Sequence, residues 1–231
     1  MGSINGVHHL AIATADIKKQ IEFFTDVLGM ELVALYWMHG VEGAWHGFMK
    51  LNDASYVAFV QTPAIAKIER TLGVTHSGNA GNPVAGGAMQ HVAFNVGSEE
   101  ELLALRDRIR SRGITVVGPV DHGMCKSMYF AGPEDLSLEI ATSEKPIDGR
   151  AWVDPEVVAL AGISAEELER YRRPARHTDE GGAVPQPAFD PEKPWMRGYP
   201  EAVYKMVVAT PDEAIAAQAA EYAAPPVEIE D

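Results

Sequence analysis

The chain has 231 residues, of which 46% are hydrophobic, and it carries a formal net charge of −14. This length and composition allow one sizeable core or two small ones. A protein that binds the nucleic-acid backbone needs clustered Lys and Arg, so the acidic balance argues against nucleic acid as a partner. The single cysteine, Cys125, excludes an internal disulfide and a cysteine-rich zinc site.

No stretch of the sequence approaches the roughly 20 apolar residues that a membrane-spanning helix needs. Residues 1–5 contain neither the basic region nor the apolar region that marks a signal peptide. We therefore expect a cytoplasmic protein that does not enter a membrane.

The first part of the chain predicts one strand, one helix and three further strands. Residues 7–14 indicate a strand, and Asp16 is a typical N-cap for a helix that Gly29 would close. Turn-forming residues then separate three strand-like runs. These runs are residues 31–38, 44–51 and 56–61.

The same order of elements returns later in the chain. Residues 89–96 predict a strand, and Ser98 and Glu101 have the spacing of a capping box at the start of a helix. Gly113 would end that helix, and three strand-like runs follow it. These runs are residues 115–120, 126–130 and 136–141.

We therefore predict an internal repeat of two βαβββ modules, residues 1–62 and 88–142. Residues 63–87 between them are rich in Gly, Asn, Ala and Pro, which predicts a connector with one short helix near residues 65–72. Residues 143–231 form a C-terminal extension that combines capped helices with a polar, proline-containing arm.

The opening strand of each module carries a histidine, and the last strand carries a glutamate. Because side chains alternate along a strand, His9 lies on the face opposite Leu10, and Glu139 lies on the face opposite Leu138. If the two modules form one surface, His9, His91 and Glu139 can converge there. Two imidazoles and a carboxylate around an open position form the facial triad of non-haem Fe(II) oxygenases. Taken singly, each could also be an ordinary strand residue.

Three segments resemble the glyoxalase/bleomycin resistance/extradiol dioxygenase superfamily, which is also called the vicinal oxygen chelate superfamily. They are His8–Ile12 with Phe23–Met30, Met89–Val96, and Asp121–Glu139. The resemblance covers roughly residues 5–142 and implies an α+β fold. In that fold, two βαβββ modules form a cup-shaped, partly open mixed β-sheet barrel. The motifs identify the superfamily but not the reaction, because the superfamily hosts many.

The resemblance also implies which residues hold a metal. The family ligands fall on His9, His91 and Glu139, and a fourth position falls near Ala58, which cannot bind a metal. Glyoxalases of the family use four protein ligands, whereas their ring-cleaving relatives use three. Tyr129 has the spacing at which ring-cleaving relatives place a tyrosine that contacts the substrate. The chain therefore resembles the ring-cleaving group more closely.

The acid/base histidine of the best-known extradiol enzymes would fall close to Ser55, which is not a base. We expect a nearby histidine to take its role, with His122 as the first candidate. His46 and His76 are alternatives that the sequence leaves open.

The resulting hypothesis is a ring-cleaving, extradiol-type dioxygenase that acts on a catechol or a related vicinal-oxygen aromatic, with dioxygen as co-substrate. It would hold one divalent metal, Fe(II) in the first place and Mn, Zn, Ni or Co as alternatives. Tyr129 and His122 would be catalytic. Two other hypotheses stay open: a divalent-metal isomerase, epimerase or lyase of the glyoxalase type, and a non-catalytic small-molecule-binding protein of the resistance type. The resemblance also implies a homodimer.

Overall fold

The computed structural model describes residues 4–176, 182–220 and 223–229. The chain separates into two compact units, Ile4–Gly162 and a second unit that begins at Ile163. Across the described ranges, no helix has both the length and the apolar character that crossing a bilayer requires.

The first unit contains the two predicted βαβββ modules. The first module consists of β1 (His9–Ala13), α1 (Ile17–Asp26), β2 (Glu31–Trp37), β3 (Trp45–Asn52) and β4 (Ser55–Gln61). The second consists of β5 (Val92–Asn95), α2 (Glu99–Ser111), β6 (Val117–Asp121), β7 (Lys126–Ala131) and β8 (Ser137–Thr142). The predicted order of elements is confirmed. The limits at residues 62, 88 and 142 remain our proposal for the extent of the modules.

Each module folds into its own four-stranded mixed sheet. The strand orders are β1-β4-β3-β2 and β5-β8-β7-β6. The opening strand pairs in parallel with the closing strand, and the other neighbouring strands are antiparallel. The predicted α+β fold is confirmed, and over the described residues its two sheets are open rather than closed into one barrel. His9 lies in the edge strand β1, and His91 immediately precedes the edge strand β5.

Side-chain caps start both module helices. The Asp16 carboxylate accepts a hydrogen bond from Lys19 N at 3.1 Å, and Ser98 Oγ accepts one from Glu101 N at 3.2 Å. The predicted capping box at Ser98 forms only in part, because the Glu101 carboxylate accepts from Gly97 N instead, at 2.7 Å. Each cap satisfies an amide that the first helical turn leaves unpaired.

One hydrophobic core runs through both modules. The Phe24 ring of α1 lies 4.9 Å from the Phe59 ring of β4 and 6.3 Å from the Phe94 ring of β5. Leu102 and Ile109 of α2 are fully buried in the same cluster. Helices therefore cover the apolar face of each sheet. The polar side chains of a functional site can lie on the opposite face.

Glu134 links the second module to the first. It lies in the turn between β7 and β8, and its carboxylate accepts hydrogen bonds from Thr14 Oγ1 at 2.5 Å, Gln20 Nε2 at 2.9 Å and Ala15 N at 3.0 Å. The Arg70 guanidinium of the connector lies 3.3 Å from the same carboxylate. One carboxylate, with 11% of its side chain exposed, thus holds the β1–α1 turn, α1 and the connector against the turn before β8.

The backbone of this turn is left-handed, with φ of 57° at Glu134 and 61° at Asp135. Glycine adopts this conformation without penalty, whereas other residues pay about 1–3 kcal/mol for it. The hydrogen bonds to Glu134 offset that strain.

The described part of the chain after the modules contains helices but no strand. It contains α3 (Gly149–Trp152), α4 (Pro155–Leu160), α5 (Ala165–Arg172), α6 (Glu201–Ala209) and α7 (Asp212–Ala220). Asp154 caps α4 with Pro155 at its first position, and Ser164 forms a complete capping box with Glu167. The alanine-rich sequence after Thr210 predicts a last helix that ends near Ala223, and residues 221–222 of that stretch lie outside the described ranges.

Helix α6 was not predicted from the sequence, because Pro200 precedes it and no side chain caps it. Within the second unit, its Tyr204 ring packs 5.4 Å from Trp195 and 5.9 Å from Phe189. The described part of the polar arm, residues 174–176 and 182–194, is neither helix nor strand, as predicted.

We predict that Glu134→Gln lowers the free energy of unfolding at neutral pH by about 1–3 kcal/mol. Burial opposes ionisation of Glu134, but the hydrogen bonds and the charge of Arg70 outweigh it and hold the pKa of the carboxyl below its usual 4.5. A carboxyl with a depressed pKa stabilises the fold above its unfolded pKa, and that contribution is lost as the pH falls through the folded value.

Urea unfolding of the wild type and the variant, from about pH 3 to pH 7, checks this. The stability of Glu134→Gln should depend less on acid pH than that of the wild type. The exposed Glu42 offers a matched control in Glu42→Gln. Parallel acid profiles for wild type and Glu134→Gln would contradict the prediction.

Candidate functional site

In the second module, the strand register places a carboxylate in the middle of one sheet face. Ala93 of β5 and Tyr129 of β7 both lie directly opposite Glu139 of β8. Residues opposite one another on neighbouring strands share a face, so these three form one row across the sheet. Glu139 is only 6% exposed, and a charge at that depth requires a partner.

His91 is that partner. It immediately precedes β5, two residues before Ala93, and so projects to the same side as Glu139. His91 Nε2 lies 3.0 Å from Glu139 Oε2. The structure therefore brings two of the three predicted metal ligands into direct contact.

Tyr129 and His122 extend this row. His122 lies in the turn between β6 and β7, where its backbone N–H donates to Cys125 O at 2.8 Å. His122 Nε2 is 2.8 Å from Tyr129 Oη. Both residues that the sequence suggested as catalytic are thus hydrogen-bonded to each other beside Glu139.

The phenol of Tyr129 is held in its protonated form. Burial raises the pKa of Tyr129 above its usual 10.0, and the negative charge of Glu139 raises it further, while a hydrogen bond with Ser127 opposes the shift. At neutral pH, Tyr129 can therefore donate a hydrogen bond to an oxygen that carries negative charge.

The first module has the same row with different chemistry. Ala11 of β1 and Phe48 of β3 both lie opposite Ala58 of β4. His9 lies two residues before Ala11, on the same exposed side of β1.

The two sheets have the same strand order, so the residues of the two rows can be compared position by position. Ala58 occupies the position of Glu139, and Phe48 occupies the position of Tyr129. The fourth family ligand position, expected near Ala58, is therefore an apolar site in this fold. The histidine of the opening segment and the alanine two residues after it are common to both rows.

His9 lies beside a second histidine. Its ring centroid is 6.2 Å from that of His46 and 5.3 Å from that of Phe48, and its Nδ1 is 3.0 Å from His8 Nδ1. His46 Nδ1 is 3.4 Å from the Tyr36 hydroxyl, whereas its buried Nε2 has no hydrogen-bond partner within the described part of the chain. Burial first, and then the charge of His9, lower the pKa of His46, so it is neutral at pH 7.

The single chain does not group His9 with His91 and Glu139. Among the described residues, no three His, Cys, Asp or Glu side chains are arranged so that they could hold one ion. His9 belongs to the first sheet, and the His91–Glu139 pair belongs to the second. The ligand set of all three stays a prediction.

One cavity in the first unit is lined by Ala11 of the first row and by no residue of the second row. It has a volume of about 680 Å³ and lies between β1, the connector and the turn that contains Glu134. Arg70 and His76 line it, and Thr75 Oγ1 is 2.9 Å from His76 Nδ1. His76 therefore lines this cavity, whereas His91 and Glu139 do not. The predicted ligands and the Tyr129–His122 pair all lie outside this cavity.

Residues 6–140 match the family described as the glyoxalase/bleomycin resistance protein/dioxygenase superfamily. The chain belongs to this superfamily. The resemblance found in the sequence motifs is thereby confirmed. The C-terminal extension lies outside the matched region.

Several named proteins are similar to this chain. A probable lactoylglutathione lyase of Synechocystis sp. is 27% identical over 141 residues, which cover 59% of this chain and 95% of that protein. A glyoxylase/bleomycin resistance protein/dioxygenase domain from Frankia sp. EAN1pec has a TM-score of 0.47 at 13% identity, covering 61% of this chain and 99% of that one.

A mutant of the fosfomycin resistance protein FosX of Listeria monocytogenes has a TM-score of 0.42 at 15% identity, covering 64% of this chain and 99% of that one. That mutant was solved with Mn(II) and 1S,2S-dihydroxypropylphosphonic acid. The description of the matched family itself names dioxygenases, so the superfamily includes enzymes.

We predict that Tyr129 titrates above 10.0, the usual pKa of a tyrosine. The difference in tyrosinate absorbance between the wild type and Tyr129→Phe, followed against pH with a chelator present, isolates this phenol. Glu139→Gln should lower the pKa of Tyr129, because the neighbouring negative charge is removed. The exposed Tyr171 supplies the control variant, Tyr171→Phe. A midpoint at or below 10.0 for Tyr129 would sink the prediction.

Proposed function

We propose that the protein is a metal-dependent enzyme that holds one divalent ion with His91 and Glu139 of one copy and His9 of a second copy in a homodimer. The observation that carries this proposal is the contact of 3.0 Å between His91 Nε2 and Glu139 Oε2. A neutral imidazole nitrogen and a carboxylate oxygen are both acceptors, so the pair requires a shared cation, either a proton or a metal. Two adjacent ligands about 2.1 Å from one ion lie about 3 Å apart, which the pair matches.

The location of His9 supports a second copy. Strand β1 is an edge strand, and its His9, Ala11 and Ala13 side is exposed. An exposed edge with small side chains can be covered closely by another chain. In a two-fold dimer every contact is reciprocal, so each copy would give His9 to the pair of the other and two equal sites would form.

We propose ring-cleaving dioxygenation as the reaction. Since Ala58 occupies the position of Glu139 in the first module, the site has three protein ligands, which is the pattern of Fe(II) oxygenases with open positions. When bound, Fe(II) would supply a Lewis acid for two adjacent substrate oxygens and a source of electrons for dioxygen. The substrate class that fits is a catechol or a related vicinal-oxygen aromatic.

The residues of the row would position the substrate and its protons. The protonated phenol of Tyr129 would donate to a substrate oxygen. His122, hydrogen-bonded to that phenol at 2.8 Å, would accept or return a proton. On the other side of the site, the half-buried Phe48 would offer an apolar surface to an aromatic ring.

A second candidate is a glyoxalase-type isomerase or lyase. The 27% identity to a probable lactoylglutathione lyase over nearly its whole length favours it. Such an enzyme would use the same ion to polarise a substrate carbonyl and would consume no dioxygen.

Mixing two inactive variants tests the site. We predict that His9→Ala and Glu139→Ala each lose Mn(II) binding, and that refolding the two together restores it in about a quarter of the sites, because half of the random dimers carry one intact site. Titration of Mn(II) by calorimetry measures the restored fraction. His76→Ala should bind like the wild type.

Two other outcomes would contradict the shared site. Mn(II) binding that survives in His9→Ala would remove His9 from the ligand set. Loss in both variants without restoration on mixing would place all three ligands in one chain.

The reaction is tested separately. Metal analysis of protein purified without chelators, followed by an oxygen electrode and a panel of diols, should show bound iron and oxygen uptake. Tyr129→Phe should lower kcat by about 100-fold or more if its proton is used in the reaction. Turnover of a glutathione hemithioacetal without oxygen uptake would favour the second candidate. Bound metal with turnover of neither substrate class would refute both reactions.

A further inference from the structure

A second cavity of the first unit lies at one end of the second sheet. It has a volume of about 460 Å³, within the range of about 300–1,000 Å³ that is usual for small-molecule sites. Residues of β6, β7, β8 and α3 line it together with the first residue of α2. Neither Tyr129 nor Glu139 is among them.

The strand register places a polar row beside this cavity, on the sheet face opposite Glu139. Lys126 of β7 lies opposite both Asp121 of β6 and Thr142 of β8. Thr142 comes three positions after Glu139, and an odd separation along a strand changes the face. The cavity is therefore bordered by side chains that take no part in the proposed metal site.

Three carboxylates of the cavity act on one ammonium group. Lys126 forms a hydrogen-bonded ion pair with Glu99, the first residue of α2. This hydrogen bond raises the pKa of Lys126, burial opposes the shift, and the charges of Glu99, Glu144 and Asp121 add to it. In the described part of the chain, neither Glu144 nor Asp121 forms an ion pair of its own. The set therefore lacks a second cation.

The charge of the whole lining also favours a cation. A fourth carboxylate, Asp148, pairs with Arg150 outside the cavity. That leaves three carboxylates against the ammonium groups of Lys126 and Lys145, one net negative charge in a chain of net charge −14. A metal ion does not fit, because no three His, Cys, Asp or Glu side chains among the described residues could hold one.

A buried hydroxyl at this cavity has no partner. Thr142 lines the cavity and is 3% exposed, and its Oγ1 makes no hydrogen bond with any described residue. Such a group is destabilising as long as its hydrogen bond is missing. A hydroxyl oxygen accepts hydrogen bonds, so an N–H group of a ligand would satisfy it. This hydroxyl distinguishes the cavity from an ordinary solvated acidic surface.

Trp152 gives the cavity an aromatic wall. Its ring packs on the β6–β7 turn at Gly123, where a Cβ would lie 2.8 Å from Cη2 of the ring. Gly123 has a φ of 80°, which also favours glycine. Met124 and Ile147 continue the wall with exposed apolar side chains. A cation gains attraction from the face of a tryptophan ring, and an apolar group gains from being covered by it.

We propose that this cavity binds an organic cation, a primary ammonium group carried by an apolar body. The ammonium group would lie between Asp121 and Glu144 and donate to Thr142 Oγ1, with the apolar body against Trp152. Its three N–H donors match two carboxylates and one hydroxyl. The site uses none of the proposed metal ligands, so it goes beyond the proposed function and does not depend on it.

Phenethylammonium chloride is the probe for this site. Phenethyl alcohol, which has the same apolar body without the charge, is the matched neutral compound. Proton–nitrogen NMR follows the indole N–H of Trp152, which Trp152→Phe assigns, and a chelator keeps metal ions from binding the amine. We expect a saturable shift of this signal with a dissociation constant of about 1 mM or lower for the ammonium, and binding at least about 10-fold weaker for the alcohol.

Variants of the lining identify the groups that bind the probe. Thr142→Val keeps the shape, removes the hydroxyl and should weaken binding by about 10-fold, whereas Thr142→Ser keeps the hydroxyl and should bind like the wild type. Glu144→Gln should weaken binding by about threefold or more. The exposed Glu156, which lies outside the cavity, gives the matched control Glu156→Gln.

Three results would overturn the proposal. Equal affinity for phenethyl alcohol would refute a site for a cation. A Trp152 signal that shows no saturable shift up to about 10 mM of the ammonium would refute the site itself. Binding that is unchanged in both Thr142→Val and Glu144→Gln would place the probe elsewhere. Because none of these measurements involves a metal, each of them would leave the proposed function as it stands.

Discussion

The parallel pairing between the first and last strands of each module determines which side chains can act together. In the second module it aligns Ala93 with Glu139, so His91, two residues earlier, reaches the same carboxylate. A shift of one residue would exchange Glu139 with Leu138, because alternate residues of a strand point to opposite faces. The charge would then enter the core, and the site would lose its carboxylate. Burial of Leu138 and Ile140 against α2 therefore protects the register on which the chemistry depends.

The two modules have the same strand order, but they carry different functional side chains. The second row offers a carboxylate, a phenol and two histidines, whereas the equivalent first row offers His9 beside Phe48 and Ala58. Neither row contains a complete set of three ligands. This asymmetry explains why a protein with two similar halves would have one kind of site, with a polar side that handles protons and an apolar side that receives a substrate.

The sequence predicted those features that local periodicity and capping determine. Alternation along β1 and β8 correctly separated His9 from Leu10 and Glu139 from Leu138, and Asp16 marked the start of α1. The relation between the two sheets could not be predicted in this way, because it depends on contacts far apart in the sequence.

The turn at Glu134 and the contacts of Gln90 were missed for the same reason. Neither residue has a distinctive local pattern, and apart from His91 next to Gln90 their partners lie 8 to 120 positions away in the chain. Helix α6 was missed because it lacks a capping side chain. The contacts of Glu134 and Gln90 can be recognised only from the folded path of the connector.

The connector also constrains how the protein can change in length. Arg70 ties its first part to Glu134, and the turn from Asn79 to Asn82 ties its middle to Gln90. Around Gly86 and Gly87, no heavy atom of the described chain beyond their immediate neighbours lies within 4 Å of where a Cβ would be. Extra residues inserted there would extend into solvent, whereas an insertion between Asn79 and Asn82 would separate the two carbonyls that accept hydrogen bonds from Gln90. The connector can therefore be lengthened at its C-terminal end without disturbing the turn that contacts Gln90.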